Sequence, residues 1–388
     1  MKVLALCSYP NEAAATRYRL QQFQAPLAER AIDLSIHPFL DSQLFEQLYS
    51  RKAIPLTALK LIKSGLLRLK DVVAARGADV LLIQREAMMF GPPLIEWLAT
   101  HVMRRPMVLD LDDATYVSYT SPTYGGLGKS LKWFSKTDDL IRWATMVICG
   151  NRSIAEYVSS KGAQARIIPT VVDTELFRPA DPSSTTNGND NQASAGPVND
   201  SVSQRTDHNA VILGWIGTHS TFPYLESIFP VLTDLGRHHD LKLKVVGARK
   251  DEITVPGVEV ENLRWELERE VRDFQSIDIG LYPIDARLYA SKWAAGKSGF
   301  KAIQYMAVGV PYVATPVGAA AELGEVGMTH FLASSHEEWR DALAKLILNA
   351  QKRQQMGEAG RRYVTEQFAL SAQADKLAAA LREAAARN

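Results

Sequence analysis

The sequence predicts an α/β protein with two doubly wound domains, each a parallel sheet covered by helices. Short apolar runs alternate with longer amphipathic segments in both halves of the chain, and a polar stretch nearly free of large apolar residues separates the halves. A chain of 388 residues is long for one domain and allows two hydrophobic cores. Its hydrophobic fraction of 46% and charged fraction of 22% are typical of globular proteins.

The first half, residues 1–178, contains six candidate strands. In chain order they are KVLALC, DLSIHPF, DVLLIQ, PMVLDL, TMVICG and RIIPT. Helical patterns lie between them, for example over 21–30 and 92–104. Ligands of such sheets bind beyond the carboxyl ends of the strands, so the polar residues that follow each strand are the first candidates for a site.

The second half repeats this alternation after a break. Residues 179–209 cannot bury enough apolar surface to offset their ordering entropy, and we interpret them as a flexible linker or surface insertion. Strand patterns resume with AVILGWIG, LKLKVVG, VEVEN, DIGLYP, VPYVAT and THFLA, which makes 210–370 a second Rossmann-like domain. The Ala/Leu/Glu-rich end, about 371–388, predicts a C-terminal helix.

Charge and cysteine usage limit the classes of function. A net charge of +1 argues against a nucleic-acid partner that binds through the whole surface. The two cysteines, Cys7 and Cys149, each end an apolar run, which is typical of buried thiols in a reducing compartment. KVLALC is too short for a signal-peptide core, and no apolar run approaches ~18 residues. We expect a cytoplasmic protein, soluble or peripheral to the inner face of the cytoplasmic membrane.

A basic helix is predicted over 56–76. It carries an apolar stripe, with basic residues elsewhere around it. The stripe is Leu59, Ile62, Leu66, Leu69 and Val73, and the basic residues are Lys60, Lys63, Lys70 and Arg76. The favoured interpretation is a stripe packed on the core with a solvated basic face. The alternative is a helix that docks on anionic lipid headgroups near a lipid-linked acceptor.

Two segments of the second half are candidate phosphate sites. After VILGWIG, a polar loop precedes the helix that Pro223 opens. Its residues are Gly217, Thr218, His219, Ser220 and Thr221. Free N–H groups and the positive end of a helix favour phosphate, although the loop is also typical of an ordinary capped turn.

The second segment is GKSGFKAIQYMA. Lys297, Ser298, Gly299, Phe300 and Lys301 surround a helix start. Two ammonium groups with exposed N–H groups predict a diphosphate site, and Gln304 could bind a ribose hydroxyl. The alternative is a solvated basic helix face.

Three carboxylates lie at the end of the strand in PMVLDLDDATY: Asp110, Asp112 and Asp113. They could bind a divalent metal, act as a general base, or cap the next segment. Three arginines that also follow strands could face the same cleft. They are Arg17, Arg19 and Arg85.

At these residues the chain resembles glycosyltransferase family four, the retaining GT-B enzymes. IIPTVVDTELFRP and YMAVGVPYVATPVGAAAEL resemble its most specific segments, and the resemblance covers nearly the whole chain. It implies a GT-B fold, with two Rossmann-like domains facing across a cleft. It also implies that the donor binds in the second domain, that the acceptor binds in the first, and that the last helix packs back on the first. The chain also resembles a divergent branch of this family that is found among bacterial polysaccharide gene products. The motifs that carry this resemblance are TRYR, QRE, DLDDA, GWIGT and GKSGFKAIQYMA.

The chain departs from the family pattern at several positions. Two glutamates eight residues apart are replaced by Gly296 and Gln304, and the arginine and lysine after the first strand of the second domain are absent from GTHSTFPYL. NEAAATRYRL replaces a glycine-rich loop, and DLDD replaces a histidine. We interpret these changes as coordinated, because Lys297 and Lys301 supply cations at the facing helix start.

The resemblance implies transfer of a sugar from a nucleoside diphosphate sugar to a hydroxyl of a glycan or lipid-linked glycan, with retention and without metal or other cofactor. Lys297, Lys301 and the 217–221 loop would hold the diphosphate, and Asp112 or Asp113 would orient the acceptor or the sugar. Three alternatives stay open: a metal-dependent transferase that uses Asp110 and Asp112, a non-catalytic sugar-nucleotide-binding subunit of a polysaccharide assembly complex, and a sugar-nucleotide epimerase.

Overall fold

The computed structural model describes residues 1–48, 54–118, 132–181, 210–284 and 296–387. Two six-stranded sheets form the centre of these ranges, and every strand pair in them is parallel. From residue 182 onward, the predicted linker lies outside the described residues. The predicted α/β fold with two Rossmann-like domains is confirmed.

The first sheet has the order β2-β1-β3-β4-β5-β6. Its strands are β1 (Lys2–Cys7), β2 (Asp33–Pro38), β3 (Val80–Gln84), β4 (Met107–Leu111), β5 (Met146–Cys149) and β6 (Ala165–Ile167). The flanking helices are α1 (Ala14–Arg19), α2 (Gln24–Ala28), α3 (Ser42–Leu48), α4 (Ile54–Ala74), α5 (Leu94–Trp97), α6 (Lys136–Trp143) and α7 (Arg152–Ser160). The central strands are buried on both faces, which explains their continuous apolar runs.

The second sheet has the order β12-β11-β10-β7-β8-β9. Its strands are β7 (Val211–Ile216), β8 (Leu241–Val246), β9 (Glu259–Leu263), β10 (Ile279–Tyr282), β11 (Tyr312–Ala314) and β12 (His330–Leu332). The helices are α8 (Phe222–Glu226), α9 (Phe229–Gly236), α10 (Glu270–Gln275), α11 (Phe300–Ala307), α12 (His336–Ile347), α13 (Ala350–Gln367) and α14 (Leu370–Ala385). The chain reverses direction across the sheet between β7 and β10, and ligands of doubly wound folds bind at such a switch point.

The last two helices connect the domains. In α13, the Arg361 guanidinium donates to the carbonyls of Thr174 and Phe177, 2.8 and 2.7 Å away, and to Ala307 of α11. The next helix, α14, buries one face in the core of the first domain, where Val3 and Ala5 of β1 also point. The buried residues of α14 include Ala374, Leu377, Ala378, Leu381 and Ala384. The helix α14 therefore packs on the first domain.

Helix α4 packs on the first domain through the face opposite the predicted one. Leu59, Ile62, Leu66, Leu69 and Val73 are 50–65% exposed, and we call them the α4 stripe. The favoured interpretation, in which this stripe packs on the core, is wrong.

The inward face of α4 contains an arginine. Arg68 is 2% exposed, and its guanidinium donates to the carbonyl oxygens of Cys7 at 2.6 Å, His37 at 2.8 Å and Ala87 at 2.9 Å. Asp71, one turn further along, accepts a fourth hydrogen bond at 2.8 Å. These partners satisfy the buried charge and fix which face of α4 is turned inward.

Candidate functional site

Helix α11 lies across the switch point of the second sheet. The Tyr305 hydroxyl donates to the carbonyl of Gly214 in β7 at 2.9 Å and to that of Leu281 in β10 at 3.3 Å. A side chain at Gly280 would clash, since its Cβ would lie 2.6 Å from the Tyr305 ring. This close packing places the start of α11, with the predicted lysines, beside the crevice between β7 and β10.

The start of α11 also meets the first domain. The side-chain amide of Asn151 donates to the Lys297 carbonyl at 3.1 Å. A Cβ at Gly296 would lie 2.3 Å from the Cβ of Ala114, so the first domain occupies the space that a side chain would need. This contact gives a physical reason why glycine replaces the first glutamate of the family pattern.

Lys297 lies where charges of both domains meet. Burial lowers the pKa of its ammonium group, and the carboxylates of Asp113 and Asp112 oppose that effect while Arg85 adds to it. Gly299 follows in the left-handed region, with φ of +67°, where side chains are strained. Lys297 is therefore within electrostatic range of three predicted residues of the first domain.

The Lys301 side chain points into a buried cluster of polar side chains. Its ammonium group donates to the Gln304 Oε1 at 3.0 Å, and Gln304 Nε2 lies 3.5 Å from Glu270 Oε1. Burial lowers the pKa of Lys301 to about 8, against the opposing charge of Glu270. Gln304 is 0% exposed, so this amide, predicted to bind ribose, is turned toward Lys301 and Glu270.

The loop after β7 is closed by its own hydrogen bonds. Thr221 Oγ1 accepts from the Thr218 N–H at 3.1 Å, and the Thr218 carbonyl accepts from the N–H groups of Thr221 and Phe222. The Thr218 and Ser220 hydroxyls are 2.9 Å apart. Burial and the neighbouring Arg249 lower the pKa of His219. Thr221, at the N-cap position of α8, makes no side-chain cap hydrogen bond, so the capped-turn alternative is not matched. Gly217–Thr221 borders the switch point.

In the first domain, Arg85 binds the two carboxylates after β4. Its Nε and Nη2 contact the Asp112 oxygens at 2.5 and 2.6 Å, and Nη2 contacts Asp113 Oδ2 at 2.8 Å. Burial alone would raise the pKa of Asp112, but the Arg85 charge outweighs it and the pKa falls below its usual value. Arg85 has a φ of +63°, which is uncommon for a residue other than glycine.

Arg19 differs from its predicted cleft-facing position. It is 4% exposed, and its Nε donates to Asp110 Oδ2 at 3.0 Å while Nη2 donates to Oδ1. Its third nitrogen donates to the Ile168 carbonyl at 2.8 Å. Burial raises the pKa of Asp110, and Arg19 opposes this rise. Arg19 is therefore an interior partner of Asp110, because a buried carboxylate needs a counter-charge.

Arg17 and Glu270 join the two domains. Arg17 Nη2 lies 3.2 Å from Glu270 Oε2, and the guanidinium stacks on the Trp265 ring at 5.0 Å. Tyr18 donates to the same carboxylate oxygen at 2.7 Å. Glu270 was not predicted as a site residue, because it lies in the acidic run WELERE without any distinguishing spacing.

The aspartates predicted as metal ligands are held by arginines. Asp110 and Asp112 each receive two hydrogen bonds from a guanidinium group. Within the described ranges, no three His, Cys, Asp or Glu side chains are grouped as a metal site. A divalent ion at Asp110 and Asp112 would have to displace these contacts.

Comparison with known proteins supports the architecture. Residues 210–349 match the family model described as "Glycosyl transferases group 1". The chain is similar to Alr3699/HepE of Anabaena in complex with UDP, with a TM-score of 0.62 and 16% identity over 99% of this chain and 100% of that one. No curated protein matches the chain by sequence.

Two further solved structures extend the likeness. Sucrose-phosphate synthase (tll1590) of Thermosynechococcus elongatus has a TM-score of 0.67 and 14% identity, over 100% of both chains. A glycosyltransferase of Rickettsia africae ESF-5 has a TM-score of 0.65 and 13% identity, over 99% of this chain and 98% of that one. The second domain thus contains a group 1 glycosyl transferase domain, and the whole chain has the GT-B fold.

The Arg85–Asp112 pair gives a test of the site's stability. Arg85→Gln leaves Asp112 buried without its counter-charge, and we expect a loss of about 3–5 kcal/mol in the free energy of unfolding. Because the folded pKa of Asp112 is lowered, this contribution is present above the unfolded pKa of ~3.9 and is lost as pH falls through the folded pKa. Urea unfolding at pH 7 and pH 3 measures both effects.

Arg142→Gln is the matched control, because it breaks an exposed pair with Asp139 and should cost less than about 1 kcal/mol. Equal losses for the two variants at pH 7 would contradict the stabilising role of Arg85.

Proposed function

We propose that the protein transfers a sugar from a nucleoside diphosphate sugar to a hydroxyl of a glycan or lipid-linked glycan, with retention and without a metal ion, in the synthesis of a bacterial surface polysaccharide. The observation that carries the proposal is the position of Lys297 and Lys301. Both surround the start of α11, beside the switch point of a domain that matches the group 1 transferases.

The proposed chemistry needs positive charge at the leaving group. The acceptor oxygen forms a bond to the anomeric carbon as the bond from that carbon to the β-phosphate oxygen breaks. Negative charge develops on the diphosphate, which takes the bonding electron pair and accepts the proton of the acceptor hydroxyl. Cations fixed beside that oxygen stabilise the transition state more than the ground state. With a pKa of about 8, Lys301 is mostly protonated at neutral pH and can supply such a charge.

The solved structures support a nucleotide donor. The Anabaena protein was crystallised with UDP, and also with UDP-glucose. On the acceptor side, Asp113 is the more accessible carboxylate, with its side chain 29% exposed against 9% for Asp112. We therefore assign Asp113 to the acceptor hydroxyl or the sugar, and Asp112 to holding Arg85.

A second proposal concerns the α4 stripe, whose five apolar side chains are at least half exposed. Lys63 and Lys70 lie next to this stripe on the helix surface, and both are exposed. An apolar stripe flanked by lysines complements a membrane surface with anionic headgroups. No helix in the described part of the chain is long and apolar enough to cross a membrane. We propose that α4 docks the first domain on the membrane that contains a lipid-linked acceptor.

The donor proposal is tested by thermal shift with UDP-, GDP-, dTDP- and ADP-sugars, each with and without EDTA. We expect one nucleotide series to raise the melting temperature, unchanged by EDTA. Proton NMR of the product should then show the anomeric configuration of the donor. Stabilisation only with added metal would favour the metal-dependent alternative at Asp110 and Asp112. Binding without turnover on any acceptor would favour the non-catalytic subunit, and donor conversion without acceptor would favour an epimerase.

Lys301→Met removes the ammonium charge and keeps an unbranched side chain. If Lys301 contacts the leaving group, kcat should fall by on the order of 10²–10³. Lys376→Met is the control, since Lys376 is exposed on α14. Steady-state kinetics with the stabilising donor measures both variants. A loss of less than about threefold for Lys301→Met would remove Lys301 from this role.

Membrane docking is tested by co-sedimentation with vesicles of phosphatidylglycerol and phosphatidylcholine, and of phosphatidylcholine alone. The double variant Ile62→Ser/Leu66→Ser should bind the anionic vesicles at least about tenfold more weakly, because each side chain loses roughly 1.5–3 kcal/mol of burial. Added salt should weaken wild-type binding by screening the lysines.

Leu348→Ser is the control for this experiment, because Leu348 is 73% exposed and lies outside the stripe. Two outcomes would overturn the docking proposal. One is equal binding by the stripe variant and the wild type. The other is a lipid-free dimer that the stripe substitutions dissociate.

A further inference from the structure

Glu270 is the acceptor at the centre of a buried hydrogen-bond network. Its Oε2 receives the Tyr18 hydroxyl at 2.7 Å and the Arg17 Nη2 at 3.2 Å. Its Oε1 receives the indole N–H of Trp265 at 3.4 Å and the Gln304 Nε2 at 3.5 Å. Only 5% of its side chain is exposed, so these groups replace water around the charge.

The carboxylate of Glu270 determines which way the Gln304 amide points. An ionised carboxylate only accepts hydrogen bonds, so the NH₂ end of Gln304 must face Glu270. The oxygen end is then left for the Lys301 ammonium group, 3.0 Å away. A reversed amide would place two acceptors against each other and a donor against a cation. The three side chains therefore form one ordered chain, from carboxylate to amide to ammonium.

The charges that face Lys301 come from two other elements. Glu270 of α10 raises its pKa, Arg17 of α1 lowers it, and burial lowers it most. Tyr18, also of α1, is neutral, since burial and Glu270 raise its pKa well above the usual value. The rings of Phe274 and Phe300 lie 5.4 and 5.9 Å from the ammonium nitrogen. Glu270 is therefore the negative charge that opposes the deprotonation of Lys301.

We propose that Glu270 is a positioning residue for the donor site: through the Gln304 amide, it orients the Lys301 ammonium group and keeps it charged for the donor diphosphate. Position 304 is where the family pattern has a carboxylate, and in this chain the Glu270 carboxylate is hydrogen-bonded to the amide at that position. The proposal rests on the proposed donor role of Lys301 and adds a residue outside GKSGFKAIQYMA.

Exchanging the acid and the amide tests this inference. The variants are Glu270→Gln, Gln304→Glu and the double exchange Glu270→Gln/Gln304→Glu. The pKa of Lys301 is measured by competitive acetylation with acetic anhydride from pH 6 to 10, followed by peptide mass spectrometry. We expect Glu270→Gln to lower the pKa by about one pH unit or more, because an opposite charge is removed. The double exchange should return it toward that of the wild type.

Gln304→Glu alone puts two carboxylates in contact, so it should raise the pKa of Lys301 and lower the melting temperature, and the second substitution should relieve both. Glu266→Gln is the control, since Glu266 lies four residues away with its side chain 57% exposed. Glu270→Asp keeps the charge but withdraws it by one methylene group. Glu270→Asp should lower the pKa of Lys301 less than Glu270→Gln does. If Glu270→Gln does not fold, Glu270→Asp is the variant that tests the inference.

An unchanged pKa of Lys301 in Glu270→Gln and Glu270→Asp would overturn the inference, as would a double exchange that does not restore it. Acetylation needs no nucleotide, so this result is independent of whether the wild type binds a donor. Titration with UDP or GDP, whichever stabilises the wild type, tests whether this effect reaches nucleotide binding. The affinity for the nucleotide should decline above a certain pH, and that pH should be lower in Glu270→Gln than in the wild type and recover in the double exchange.

Discussion

A charged side chain that is removed from water destabilises a protein unless an opposite charge and hydrogen bonds replace the water. A buried carboxylate therefore determines where the cationic side chain that neutralises it must lie. In the described part of the chain, three such carboxylates are each bound by an arginine from another segment. Asp110 holds Arg19, Asp112 holds Arg85, and Glu270 holds Arg17. Because Arg17 and Glu270 belong to different domains, the same requirement that fixes side chains within a domain also joins the two domains.

The two lysines that flank the start of α11 differ from these arginines in their electrostatic surroundings. Burial lowers the pKa of both Lys297 and Lys301, so their environments supply less negative charge than a stable ammonium group would need. A diphosphate would supply the missing charge at the place where the fold presents both lysines. Under the proposed function, that anion arrives with the donor substrate, as expected when binding energy is directed at a developing negative charge.

Sequence patterns predicted the sheets and the location of α11 because these depend on local signals. A run such as VLLIQ is almost wholly apolar because both of its faces are covered. Ser298 and Gly299 before an amphipathic run are residue types preferred around a helix N-cap. The roles of Arg19, Arg68 and Glu270 depend on distant partners. Arg19 binds an aspartate 91 residues away, and Glu270 contacts a tyrosine 252 residues away. For α4, periodicity located an apolar stripe correctly, but the direction of packing was set by Arg68, whose carbonyl partners come from other segments.

The same arginine connects the proposed membrane surface to the donor site. Arg68 binds the carbonyl of Cys7, the last residue of β1, and the segment after β1 leads directly into α1 with Arg17 and Tyr18. These two side chains bind Glu270, which orients Gln304 against Lys301. Arg68 on the inward face of α4 and the ammonium group of Lys301 thus belong to two sets of buried polar contacts, which the chain between β1 and α1 joins. Each set resists deformation, because breaking its contacts leaves a buried charge without its partners. A docked α4 would in this way hold the donor sugar at a fixed height above the lipid surface, which is the geometric requirement for an enzyme whose acceptor is anchored there.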